Sequence, residues 1–262
     1  MTTVVRAVGA LCCMLTILGA IGFVSVIART LTAHDEQAFK FSGKARGLES
    51  MPALAMEFVD DEREVEAYLG ARDATGDSET RRSMRAALAA DNVFIAFYWL
   101  LFMGLCALMA MHNFKLYLRG HWLRLGLWLA VFATVCATGA AISDTVENAH
   151  TAALLDAPAV TKALVRNVAS ASAEKWVLIA LATLALSPLF IWAGYYEANE
   201  PRPRPISRIL FPLYLAVGAL ILAGVIASFP ALVAVGFVLN FVGVAIVAFV
   251  FTRRPRWSAW PD

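Results

Sequence analysis

WLRLGLWLAVFATVCATGAAISDTVENAHTAALL, residues 122–155, decides the fold. It opens with an apolar run, Trp122–Ile142, of the ~20 residues that a helix needs to cross the hydrocarbon core of a bilayer. Directly after that run stand Asp144, Glu147, Asn148 and His150. Five further runs have the same character: Val4–Ala28, Val93–Met111, Trp176–Ala193, Ile209–Ala227 and Ala231–Phe251. In hydrocarbon an unpaired backbone N–H or C=O has no water to bond, so such runs are helical. The alternating pattern of a transmembrane barrel is absent. With 60% hydrophobic residues and a mean hydropathy of +0.67, the chain reads as an all-α bundle of six transmembrane helices forming a single integral-membrane domain.

Charge distribution sets the expected orientation. Lys115 and Arg119, with Arg124 at the start of the third run, mark the loop between the second and third spans, Arg202, Arg204 and Arg208 lie between the fourth and fifth, and Arg253, Arg254 and Arg256 in the tail. The positive-inside rule makes these three segments cytoplasmic. Both termini are then cytoplasmic in a bacterial inner membrane, and residues 29–92 are extracytoplasmic. That long loop carries nine basic and thirteen acidic residues, which does not oppose export, because long loops translocate largely regardless of charge. The first run exceeds the 7–15 residues of a signal-peptide core and is read as an uncleaved span.

The loop has internal order. DDEREVEAYLG (60–70) reads as a helix capped by Asp60 or Asp61 and ended by Gly70. ALAMEFV (53–59) reads as a short helical or extended piece. From residue 79 no breaker intervenes, so one helix is expected over 79–112. Pro158 is placed to begin another helix, an amphipathic lead-in over Val160–Lys175 to the fourth span, with Pro188 tolerated inside it. SFPA (228–231) is a tight turn around Pro230.

On a helix, successive residues are 100° apart. Asp144, Glu147, Asn148 and Thr151 therefore share one face, with His150 off it but one turn from Glu147. Asp91 opens the second span, and His34 follows the first. Three readings of this layer stay open. The acids and amide tie down the loop by pairing with its backbone and with Arg81, Arg82 or Arg85. Alternatively, Glu147 and His150, spaced as in helical-bundle carboxylate metal centres, hold a metal with Asp144, Asp91 or His34. Or the cluster forms a pocket for a polar headgroup or small ligand.

DNVFIAFY (91–98) and DTVEN (144–148) resemble the D-x-x-F-I-x-x-Y and D-x-x-E-N patterns of a group of uncharacterised bacterial multi-pass membrane proteins, over about residues 57–150. The resemblance implies no activity. It singles out Asp91, Tyr98, Asp144, Glu147 and Asn148.

Other patterns exclude more than they offer. Cys12, Cys13, Cys106 and Cys136 lack zinc, redox or haem-attachment spacing. His112 and His121 flank one hairpin at the membrane edge, which does not suit a haem. Asn240, mid-span, is expected to make one interhelical hydrogen bond. No zincin, nucleophile-elbow, Walker or dinucleotide motif occurs. The expected function is non-catalytic, a membrane protein binding lipids or a membrane-protein partner, with no cofactor and no nucleic acid. A metal-dependent enzyme and a small-solute transporter are the alternatives.

Overall fold

The computed structural model describes residues 40–46, 52–70, 78–118, 124–196 and 205–253, together with Leu11, Met14, Leu18 and Gly22. After a 3₁₀ turn at Gly43–Ala45 the described residues form seven helices: α1 (Pro52–Met56), α2 (Glu62–Leu69), α3 (Glu79–Leu118), α4 (Arg124–Asp156), α5 (Lys162–Tyr196), α6 (Pro205–Ile226) and α7 (Pro230–Arg253). No strand occurs among the described residues. Among the described residues four helices, α3 to α6, are long and apolar enough to cross a membrane. They mark the chain as an integral membrane protein. Most of the first predicted span lies outside the described residues. Its Leu11, Met14, Leu18 and Gly22 are helical, and Gly22 approaches Phe94 of α3. The sixth predicted span coincides with α7.

Consecutive helices pack on one another from α3 to α7. The side chains of α4 explain how. Leu125, Trp128, Val135, Ile142 and Val146 are exposed on one face, as a lipid-facing stripe must be. The opposite face is small: Ala130, Ala133, Ala137 and Ala140 are buried there. Small residues let backbones approach in a membrane bundle, where apolar burial alone does not drive association.

The first three long helices exceed the membrane. At about 1.5 Å per residue, the 40 residues of α3 reach roughly twice the ~30 Å of hydrocarbon. The surplus of α3, α4 and α5 forms a second apolar core with the preceding segment. Phe41, Met56, Val59, Val65, Tyr68 and Leu69 pack there against Met84, Leu154, Leu155 and Val165. This cap is held by local chemistry. Asp61 caps α2 and accepts from the Arg63 N–H at 2.9 Å. Gly70 ends α2 at φ 72°, a left-handed backbone that favours glycine. Ser78 donates its hydroxyl to the Leu69 carbonyl, closing the α2–α3 connection.

Two boundaries differ from the sequence reading. α3 runs six residues past the expected end, to Leu118. Residues 158–159 form a bend rather than a helix start, and α5 begins at Lys162. Thr161 supplies the cap there, accepting from the Leu164 N–H. The lead-in and fourth span are one continuous helix that keeps Pro188 inside it. Between α6 and α7, Ser228 takes φ 50° and Pro230 is the first residue of α7.

Candidate functional site

The small-residue face of α4 continues without a break into Ser143, Asp144, Glu147, Asn148 and Thr151, all buried. The helical period that buries the alanines therefore also buries the acids. They lie between the membrane core of α3 to α6 and the apolar core of the cap.

Lys175 of α5 meets them. Its Nζ lies 3.1 Å from Asp144 Oδ1, 2.7 Å from Glu147 Oε2 and 3.1 Å from Glu57 Oε1. Lys175, Asp144 and Glu147 are each about 5% exposed. Glu57 follows α1, so one ammonium joins the cap to two membrane helices. The next residue, Trp176, donates its indole N–H to Glu57 Oε2 at 2.6 Å. Glu57 is held above the ordinary carboxylate value. Burial raises it, the Lys175 ammonium lowers it, and neighbouring Asp144 raises it again.

The helices α3 and α4 are also cross-bonded. Tyr98 donates its hydroxyl to Asp144 Oδ2 at 2.8 Å. Asn148 donates its amide to Asp91 Oδ2 at 2.8 Å and to Asn92 Oδ1 at 3.2 Å. The polar ends of D-x-x-F-I-x-x-Y thus bond the polar residues of D-x-x-E-N, in the order required of antiparallel neighbours. Beneath them Phe94 packs on Tyr98 and Phe237, and Phe237 meets Trp176 edge-on.

A cavity of about 60 Å³ opens beside Glu147. Glu57, Asp91, Asn148 and Thr151 share its polar wall.

The structure brings together five of the residues singled out from sequence: Asp91, Tyr98, Asp144, Glu147 and Asn148. His150 is half-buried, and no hydrogen bond or ion pair joins it to the group among the described residues. His34 lies outside the described residues. No set of three His, Cys, Asp or Glu side chains is placed to hold a metal ion among the described residues.

The expected arginine partners are elsewhere. Arg81 donates to the Leu155 carbonyl at 2.8 Å and to the Gly70 carbonyl at 3.4 Å. Arg85 pairs with Asp156 at 2.6 Å. Both serve the C-terminal end of α4, where helix carbonyls lack intrahelical donors. Lys175, Glu57 and Trp176 are the members missed from sequence. The signal for Lys175 was its spacing: Val168, Ser172, Trp176 and Ile179 are buried on the same face of α5. Asn240 is buried, and its side-chain oxygen meets no donor among the described residues. Cys106 and Cys136 are free and buried.

No family model matches the chain, and no curated protein or solved structure does.

Proposed function

We propose that this chain is a six-span bacterial inner-membrane protein that binds a lipid or a membrane partner and performs no chemistry itself. In this reading both termini are cytoplasmic, and residues 29–92 form an extracytoplasmic cap. The distribution of arginine and lysine supports the orientation. The agreement of its two motifs supports placing it in the group of bacterial multi-pass proteins that they resemble.

One observation carries the binding reading. A buried ammonium, Lys175, is used to fasten the cap onto the bundle through Glu57, and the junction so made contains a cavity with polar side chains on one wall. Buried charge is costly unless fully paired. A bundle needing only stability would bury apolar residues at that junction. A cavity between helices whose largely apolar wall carries a few convergent polar groups is a usual form of small-ligand site.

The test is native mass spectrometry of the full chain released from mild detergent, with metal analysis of the same sample. A stoichiometric lipid or protein adduct without metal is expected. A stoichiometric metal lost in Glu147→Ala overturns the reading in favour of a metal-dependent enzyme.

A further inference from the structure

We infer that the cavity beside Glu147 binds a primary ammonium group carried on an apolar stem. This rests on the binding reading above and names the chemistry of its ligand.

The inference follows from matching donors to acceptors. Lys175 spends its ammonium on Glu57 Oε1, Asp144 Oδ1 and Glu147 Oε2. Tyr98 and Trp176 supply the second oxygens of Asp144 and Glu57. The Asn148 amide nitrogen supplies Asp91 Oδ2. Asp91 Oδ1, Glu147 Oε1, the Asn148 side-chain carbonyl and the Thr151 hydroxyl take no hydrogen bond from the groups just named, and Glu147 Oε2, though ion-paired with Lys175, accepts no hydrogen bond among the described residues. All four residues line the cavity.

Thr151 is the independent sign of a ligand. It is 5% exposed. Three other helical threonines, Thr134, Thr145 and Thr183, return their hydroxyls to the carbonyl four residues back. Thr151 makes no such bond and lines the cavity instead.

These free groups select the ligand. Carboxylate and amide oxygens only accept, so an anion or an acceptor-only group leaves them unpaired. Four carboxyl groups, those of Glu57, Asp91, Asp144 and Glu147, gather around one ammonium, that of Lys175, among the described residues, so oxygens outnumber N–H donors and the site favours a donor-rich cationic group. A bare metal ion lacks its ligand set here among the described residues. A primary ammonium donates three N–H bonds, each at an ordinary heavy-atom distance of ~2.7–3.2 Å. At about 15 Å³ for each water-sized group, the cavity admits roughly four. Met56, Met84 and Leu88 give the alkyl carbons an apolar wall. A quaternary ammonium has no N–H and cannot satisfy the acceptors. The ligand is either the headgroup of an aminolipid or a soluble alkylamine.

Two arms test this on the purified full chain. In the first, nanodiscs contain equal amounts of phosphatidylethanolamine and phosphatidylcholine with identical acyl chains, and the lipids retained after release are counted by native mass spectrometry. In the second, melting is followed with n-hexylamine, hexyltrimethylammonium or n-hexanol. The lipid source predicts retention of phosphatidylethanolamine over phosphatidylcholine by about tenfold, the worth of one charge-assisted hydrogen bond. The soluble source predicts stabilisation by n-hexylamine alone.

In either case Asp91→Asn and Thr151→Val must abolish the preference. Melting without probe checks that each variant is folded, and Thr151→Val, close to isosteric, decides the matter if Asp91→Asn does not fold. Equal retention of both lipids with no n-hexylamine effect overturns the ammonium inference while leaving lipid binding standing. Retention of nothing, with no probe effect, overturns both. A preference unchanged in both variants overturns this location.

Discussion

Lys175 Nζ lies 3.1 Å from Glu57 Oε1, and with the adjacent Trp176 indole this contact joins a membrane helix to the segment that covers it. The same ammonium holds Asp144 and Glu147 of the neighbouring helix. Removing it strands three carboxylates in a nearly dry layer. Breaking a buried ion pair from one side costs about 3–5 kcal/mol. Lys175→Met should therefore lower the melting temperature by roughly 6–20 °C, at ~2–4 °C per kcal/mol for a chain of this size. The triple variant Lys175→Met, Asp144→Asn, Glu147→Gln should recover part of that loss, because the stranded charges go with their partner. Unchanged melting of Lys175→Met in detergent would show that the junction does not depend on this ammonium.

Glu57 adds a pH dependence with a definite sign. Its folded-state value is raised above the ordinary 4.5, chiefly by burial. The folded chain therefore holds this proton more tightly than the unfolded chain. Below 4.5 both states are protonated at Glu57. As pH rises from there through the raised folded value, the unfolded state loses its proton first, and stability falls. The charged groups facing Glu57 are Lys175 from α5, Asp144 and Glu147 from α4, and Asp91 from α3. Glu57→Gln keeps an acceptor for the Trp176 indole and removes the titration. The fall in melting temperature with rising pH should be shallower in Glu57→Gln than in the natural chain. Parallel pH profiles would assign the dependence to another group.

Much of this arrangement was legible in the sequence, and the reason is periodicity. The run Trp122–Ile142 announces a span, and the same 100° step carries Asp144, Glu147 and Asn148 onto its buried face. The Asp60–Asp61 pair and Gly70 marked the limits of α2 because caps are local, and Asp61 is the one that caps it. Lys175 was harder to place. Read by charge alone it ends a solvated lead-in, and only its spacing from Val168, Ser172 and Ile179 puts it inside. Glu57 carried no local signal, since its burial depends on where the α1 segment docks. Arg81 and Arg85 looked like partners for the acids. They go instead to the end of α4, because unpaired helix carbonyls compete for the same cations.

The α6–α7 turn should be intolerant of any side chain at Gly224. A Cβ there would stand 2.8 Å from Val233 Cγ2 and 2.9 Å from the Val233 backbone nitrogen. The backbone atom cannot rotate away. The turn is fixed as well by the Phe229 N–H donating to the Gly224 carbonyl at 2.7 Å. Gly224→Ala should destabilise the chain by about 1–3 kcal/mol, as overpacking does in a close-packed interior. Thermal unfolding of the purified variant measures this, and an unchanged midpoint would mean that the two helices separate at no cost.

Arg81 gives a prediction confined to the cap. It is 2% exposed and links the Leu155 carbonyl at the end of α4 to the Gly70 carbonyl that closes α2. Its guanidinium donates in two directions from one plane, which a lysine ammonium on a flexible stem does not reproduce. Arg81→Lys should therefore behave much like Arg81→Met, each losing about 1.5–3 kcal/mol of charge-assisted hydrogen bonding. The loss should be local, because these two bonds lie within the cap and at the end of α4. Amide hydrogen exchange is expected to quicken in residues 62–70 and 150–156, with little change over 176–190. Uniform quickening along all the helices would mean that the cap and the bundle unfold as one unit, and would remove the cap's separate standing as the cover of the cavity.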